Sequence, residues 1–262
     1  MHLSERRVLL TGASGGIGLA AAWRLAEAGA RLLLVARRCE ALRPLAERFP
    51  GRITLLRADL TDPAGRAAIA AEAERLGGIE VLINAAGIGH FGAFEQLDEA
   101  DIAALMQLNV TATLQLTRLL LPQLQRQPQA LLVNVGSIFG SIGHPGFAAY
   151  CASKFALHGF SQALRRELAD GPVRVLHFAP RATRTSMNSA PAQALNEALG
   201  NATDTPEQVA GQLLRAIEQE RRETWLGWPE KLFVRLNALF PGLVDRALRQ
   251  KLATILRHAR HR

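Results

Sequence analysis

Short unbroken apolar runs alternate along this chain with longer stretches in which apolar residues return at helical spacing. The runs are RVLLT (7–11), RLLLVA (31–36), RITLLRA (52–58), VLINAA (81–86), ALLVNV (130–135), VRVLHFA (173–179) and TWLG (224–227). They do not alternate apolar with polar, as half-buried strands do; unbroken runs suit parallel strands covered on both faces. Between them, stretches such as GLAAAWRLAEAG (18–29) and TPEQVAGQLLRAIEQERR (205–222) read as helices. The second opens with Thr205 as N-cap, Pro206 at the first helical position and Glu207 in the first turn. This alternation predicts an α/β fold: a doubly wound parallel sheet of about seven strands in three layers. There is no internal repeat at solenoid period and no low-complexity linker, so residues 1–228 are expected to form a single domain.

Residues 229–262 form a different kind of segment. Pro241–Gly242 should divide it into two helices. In the second, Leu243, Val244, Ala247, Leu248, Leu252, Ile255 and Leu256 recur near helical period, while Asp245, Arg246, Arg249, Gln250 and Arg257 fall largely elsewhere. From Lys231 to Arg262 there are eight lysines and arginines against one carboxylate, Asp245. Residues 231–262 therefore hold +7 of the formal +8 charge, and the first 230 residues hold +1. A nucleic-acid enzyme would spread its basic residues around its site, so no nucleic-acid partner is expected. The basic amphipathic helix is compatible with packing on its own protein or a partner subunit, with an anionic membrane surface, or with an acidic carrier protein.

Composition narrows the class further. Hydrophobic residues make up 48% of 262, enough for a packed core. No apolar run reaches the roughly 18–20 residues of a membrane span, and the N-terminus has no signal-peptide pattern. Cys39 and Cys151 offer neither metal-ligand spacing nor a disulfide framework. A cytoplasmic protein without a metal is expected, its tail free to lie peripherally at a membrane.

Ligands of such sheets bind beyond the carboxyl ends of the strands. After the first run comes TGASGGIG, with Gly12, Gly15, Gly16 and Gly18 leading straight into a helix. Glycines there permit a tight turn and the close approach of a pyrophosphate, and the helix N-terminus offers free N–H groups to an anion. The spacing is G-x-x-x-G-x-G and not the usual G-x-G-x-x-G. The second run ends in Ala36, Arg37 and Arg38. An acid at this place would accept a ribose 2′-hydroxyl, whereas arginine favours a 2′-phosphate. The cofactor expected is therefore NADP(H). Asp59 either accepts from an adenine amino group or caps the following turn, and the small residues of Asn84–Gly87 leave room for a ribose.

The only tyrosine of the chain, Tyr150, stands four residues before Lys154, so the two share a helix face. A free phenol titrates near 10. A neighbouring ammonium favours the phenolate, as does an oxidised nicotinamide, and both move the group towards a working pH. Ser137, thirteen residues before Tyr150, offers a hydroxyl to polarise the same substrate oxygen.

With TGASGGIG, NAAG, LNVTA, Ser137 and YCASK in this order and spacing, residues 6–227 resemble the short-chain dehydrogenase/reductase family, the type of about 250 residues with a Rossmann-type fold. The resemblance implies Tyr150 as acid–base and Ser137 as the group that orients a carbonyl. Lys154 would bind the nicotinamide ribose and lower the tyrosine pKa, and Asn109 would anchor a water in a proton relay or act at a helix kink. It implies cofactor contacts at Gly12, Ser14, Gly16, Ile17, Gly18, Arg37, Arg38, Asp59, Leu60, Asn84, Ala86, Gly87, Tyr150, Lys154, Pro180 and Thr185.

The chain departs from the family at Ala85, where a second asparagine is frequent, and at Arg181, where Pro-Gly is usual. Arg181 would bring a positive charge near cofactor or substrate. His90 and Phe91 are candidates for the substrate pocket, His144 and Pro145 for pocket or turn, and Cys151 for the core. The activity implied is hydride transfer between nicotinamide and a carbonyl or secondary alcohol, with an apolar or lipid-like substrate, in a homodimer or homotetramer. The alternatives are a 3-oxoacyl reductase acting on an acidic carrier protein and a nucleotide-sensing protein without turnover.

Overall fold

A computed structural model describes residues 1–260. Seven strands form one sheet: β1 (Arg7–Thr11), β2 (Arg31–Ala36), β3 (Ile53–Arg57), β4 (Val81–Asn84), β5 (Ala130–Val135), β6 (Val173–Ala179) and β7 (Glu223–Trp225). Their order is β3-β2-β1-β4-β5-β6-β7, and every pairing is parallel. Strand succession reverses between β1 and β4, which makes the carboxyl edge there the natural crevice of the sheet.

Helices cover both faces. On one side α1 (Gly16–Glu27) and α8 (Pro206–Glu218) pack through Ala21, Ala22, Leu25, Val209 and Leu213. On the other, α3 (Pro63–Arg75), α5 (Thr113–Gln125) and α6 (Ala148–Glu167) bury Ile69, Leu116, Leu120 and Leu164 against Leu9, Leu82 and Leu132. The shorter α2 (Arg43–Arg48), α4 (Glu99–Met106) and α7 (Ala190–Ala198) complete the layers. Thr205 caps α8 as expected, accepting from the Gln208 N–H at 3.2 Å while Gln208 reaches back to the Thr205 N–H at 2.9 Å.

β4 is two residues shorter than its apolar run. The reason is local: the N–H groups of Ala85 and Ala86 leave the ladder and donate to Thr11 Oγ1, at 3.1 and 3.2 Å. One row across the sheet is polar, with Thr11, Asn84, Asn134, His177 and Glu223 paired in register. The two asparagines are bonded sideways and from the helices, whereas the His177 ring nitrogens find no hydrogen-bond partner among the described residues. Asn84 donates to Asn134 (2.9 Å) and to Thr117 of α5 (3.0 Å), and Asn134 donates to Ser161 of α6 (2.9 Å).

The C-terminal segment forms α9 (Glu230–Leu239) and α10 (Pro241–Arg260). Pro241 takes the first position of α10, where its missing N–H costs no hydrogen bond. α10 turns back on the body: Ala93 donates to the Ala259 carbonyl at 3.1 Å, and Val244, Ile255 and Ala259 are buried. Leu243, expected on the buried stripe, is instead 55% exposed. It joins Leu239 and Phe240 in an exposed apolar crest at the α9–α10 turn, and Trp228 and Leu232 are exposed at the other end of α9. His261 and Arg262, the latter counted in the basic tail, lie outside the described residues.

Candidate active site

A cavity of about 1150 Å³ opens along the carboxyl edge of the sheet. Sites for single small molecules usually occupy about 300–1,000 Å³, so this one has room for a dinucleotide with a substrate beside it. One end is the glycine turn. Gly12 has φ +66, and a Cβ on it would lie 2.7 Å from the Ala86 Cα. A Cβ on Gly18 would run into the Gly12 carbonyl oxygen. The turn is therefore closed to side chains, and α1 starts without a side-chain cap, its first N–H groups directed at the cavity end. This cradle suits a pyrophosphate.

Ser14, Gly16, Ile17, Leu60, Ala86, Gly87, Pro180 and Thr185 also line the cavity. Thr185 packs over Gly16, its Cγ2 2.6 Å from where a Cβ would stand. Arg37 and Arg38 lie exposed at the rim, and neither has a salt bridge among the described residues. Asp59 lines the same end and also closes its turn, with Oδ1 accepting from the Thr61 N–H (2.8 Å) and hydroxyl (2.7 Å). Those bonds, more than the nearby Arg37, hold its carboxyl below the usual range. Asn84 is the exception. Its side chain belongs to the polar row inside the sheet and does not reach the cavity.

The other end gathers Ser137, Tyr150 and Lys154. Ser137 follows β5, and the short turn Ile138–Gly140 presses on α6: a Cβ on Gly140 would lie 2.7 Å from the Lys154 carbonyl oxygen. That close approach brings the serine loop onto the helix carrying Tyr150 and Lys154. The Ser137 hydroxyl interacts with the phenol and lowers its pKa, but burial is the stronger influence and pushes it up to about 12. Lys154 Nζ lies 5.7 Å from the Tyr150 ring centroid and donates to the Val135 carbonyl at 3.1 Å. Burial brings Lys154 down to about 8. The expected descent of the tyrosine towards neutrality is thus not a property of the chain by itself. Burying a phenolate costs more than Ser137 returns, and the remaining positive charge invoked belongs to an oxidised nicotinamide.

Asn109 sits in a π-helical turn, Gln107–Ala112, between α4 and α5. Its amide clasps Ile88 on both sides, accepting from its N–H and donating to its carbonyl, each at 2.9 Å, and also donates to Ser153 at 3.0 Å. The side chain fixes the loop after β4 and does not itself line the cavity. Arg181 introduces no free charge. It forms a two-pronged pair with Asp204 (3.0 and 2.7 Å) and lies 3.5 Å from Glu230. Its backbone has no positive φ, so a side chain in place of the family's glycine is tolerated.

The short chain dehydrogenase family matches residues 6–196. This chain belongs to that family. Nodulation protein G of Rhizobium sp. (strain N33) is 37% identical over 187 residues, 71% of this chain and 76% of that protein. The 3-oxoacyl-[acyl-carrier-protein] reductase FabG of Vibrio cholerae is 30% identical over 235 residues, 89% of this chain and 94% of its own. A short chain dehydrogenase of Burkholderia cenocepacia, solved with NADP, superposes with a TM-score of 0.81 at 25% identity, covering 95% of this chain and 99% of its own. A Burkholderia phymatum protein solved with NAD shares the fold at TM-score 0.82 and 23% identity, with 93% and 96% covered.

Beyond the family's motifs, this short-chain dehydrogenase has an aromatic wall beside Tyr150. Phe147 lies 6.2 Å from the Tyr150 ring, Phe139 lies 5.0 Å from Phe147, and Phe91 lies 4.8 Å from Phe147. His144 stacks on Phe139 at 4.9 Å and lines the cavity with His90. Sequence reasoning named His90, Phe91 and His144 but missed Phe139 and Phe147, as well as Thr11, whose hydroxyl holds the loop after β4. It also missed the cavity-facing side of α10. Apolar periodicity could show that α10 buries a face, but not against what.

Proposed function

We propose that the protein is an NADP(H)-dependent reductase of carbonyl groups, working reversibly on the matching secondary alcohols. The observation that carries this reading is the meeting of Ser137, Tyr150 and Lys154 at one end of a cavity whose other end is the glycine turn. A nicotinamide cofactor, when bound, supplies the hydride for the carbonyl carbon. Ser137 orients the carbonyl oxygen by a hydrogen bond. Tyr150, kept as a neutral phenol by burial, gives that oxygen its proton. Lys154 stabilises the phenolate left behind and draws its next proton inward, and Asn109 holds the loop at Ile88 in place. Gly12, Gly16 and Gly18 seat the pyrophosphate, and Asp59, Ala86, Gly87, Pro180 and Thr185 line the remainder.

NADP is preferred over NAD in this reading because Arg37 and Arg38 stand where an acid would select a 2′-hydroxyl. The aromatic wall and the apolar tail residues support an apolar, lipid-like substrate. The tail is read as an extension of a single catalytic domain over 1–228. Its exposed crest and net positive charge support contact with an anionic membrane surface by an otherwise cytoplasmic protein; among the described residues no helix is long and apolar enough to cross a membrane. Leu119 on α5 and Phe155 on α6, 41% and 42% exposed, support a homo-oligomer built on those helices. Similarity to a 3-oxoacyl carrier-protein reductase favours one second reading, reduction of acyl groups delivered on an acidic carrier.

NADPH oxidation against a panel of aliphatic, aromatic and 3-oxoacyl carbonyls, free and carrier-bound, tests the assignment. Turnover of at least one carbonyl supports it. Tight NADPH binding with no turnover of any would leave a nucleotide sensor.

A further inference from the structure

We propose that Lys251 recognises an anionic group at the end of an apolar substrate, so that the preferred carbonyl compound is an amphiphile with a carboxylate or phosphate remote from the reacting carbon. This rests on the reductase reading for the position of that carbon. The cavity-lining residues of α10 are Val244, Ala247, Leu248 and Lys251. Their spacing is i, i+3, i+4 and i+7, a single helical face. Three members are apolar and the fourth is a cation.

The other charges near this wall are already committed. Arg181 is paired with Asp204 and Glu230. His90 faces Asp101 at 3.6 Å. Lys154 is held by the Val135 carbonyl. His144 donates from Nδ1 to the Pro145 carbonyl at 2.8 Å, and burial keeps it neutral, with a further contribution from Lys251. Glu230, the carboxylate lining this end of the cavity, belongs to Arg181. Lys251 has no hydrogen bond or ion pair among the described residues, and it ends an apolar stripe that lines the same cavity as the wall of Phe91, Phe139 and Phe147. An apolar chain laid along that wall from Tyr150 would present its far end to an ammonium. A neutral chain would leave that ammonium, on an exposed residue, to water alone.

The test compares the full-length wild type with Lys251→Ala, Lys251→Glu and Lys251→Arg. NADPH-dependent kcat/KM is measured on straight-chain oxo acids and their methyl esters. A second arm compares an oxoacyl thioester of phosphopantetheine with the pantetheine thioester that lacks the phosphate. A third measures equilibrium binding of a saturated fatty acid and its methyl ester, which needs no turnover. The wild type should favour the anion in one pair, and that pair identifies the carboxylate or the phosphate as the group read. Lys251→Ala should cut the acid-to-ester, or phosphate-to-dephospho, ratio by about tenfold, the scale of one charge-assisted hydrogen bond. Lys251→Glu should invert the ratio and Lys251→Arg restore it. A merely structural lysine would change both members of each pair alike, and an unchanged ratio overturns the proposal. Anion binding that depends on Lys251 without reduction of any carbonyl would keep the anion site and remove the reductase. Reduction indifferent to position 251 would do the reverse.

Discussion

Lys154 and Tyr150 share one face of α6, yet burial moves their protons in opposite directions: the lysine comes down to about 8 and the tyrosine goes up to about 12. In the cofactor-free enzyme the lysine is therefore the first of the two to lose its proton. Below pH 8 it is a cation and favours an anionic ligand or phenolate; through pH 8 that charge is lost. Because kcat/KM reports the groups of the free enzyme, kcat/KM for NADPH should decline above about pH 8. Lys154→Met should be low throughout and lack this limb. A wild-type profile flat from pH 7 to 10 would remove Lys154 from the cofactor site.

Arg37 is expected to set cofactor choice. Arg37→Asp replaces attraction for a 2′-phosphate by repulsion, so the NADH-to-NADPH ratio of dissociation constants should fall by at least about tenfold, the value of one charge-assisted hydrogen bond. Fluorescence titration of both cofactors measures it. The same ratio in variant and wild type would mean that Arg37 faces solvent.

His177 carries a cost unrelated to catalysis. It is fully buried, both ring nitrogens lack hydrogen-bond partners among the described residues, and it stacks on His158 at 4.5 Å; Gly136 lies so close that a Cβ there would run into the ring. Burial, with His158, Lys154 and Arg165 adding to it and Glu223 opposing, lowers its pKa to about 3. The folded form thus resists protonation that the unfolded chain accepts at its ordinary 6.5. The stability is complete above pH 6.5 and lost as pH falls towards 3, amounting to about 2 kcal/mol by pH 5. His177→Leu should remove two unsatisfied polar atoms and flatten the decline between pH 7 and 5 in thermal unfolding. Parallel curves for variant and wild type would contradict this.

The exposed crest leads to a membrane prediction. Full-length protein should sediment with vesicles rich in phosphatidylserine at low salt, where attraction to the basic tail is least screened. Leu239→Ser with Phe240→Ser should stay in the supernatant, with NADPH binding kept. Wild-type protein that ignores such vesicles would leave the crest to subunit packing.

What could be read from the sequence followed burial. The limits of β1, β2, β5 and β6 coincide with their apolar runs because these strands are covered on both faces. β4 does not, since its end is set by the hydroxyl of Thr11 on another strand, a contact that composition cannot reveal. Tyr150 and Lys154 were legible because i, i+4 spacing puts them on one face, and Ser137 by its place at the end of β5. The close contact at Gly140 that joins the two groups was not. Asn84 has a residue type fit for a ligand, but its in-register neighbour Asn134 uses it first. The fold-back of α10, and with it Lys251, depends on contacts with α7 and Ala93 that no local pattern encodes.

The most direct test of the central claim is the single-turnover and steady-state rate of Tyr150→Phe on a carbonyl that the wild type reduces with NADPH. The substitution keeps the ring against Phe147 and removes only the oxygen that gives up the proton. Turnover should fall on the order of 10²–10⁴-fold, the value of positioned acid–base catalysis, while NADPH binding is kept. A variant that turns over near the wild-type rate would show that the proton comes from elsewhere, and the assignment of Ser137, Tyr150 and Lys154 would fall with it.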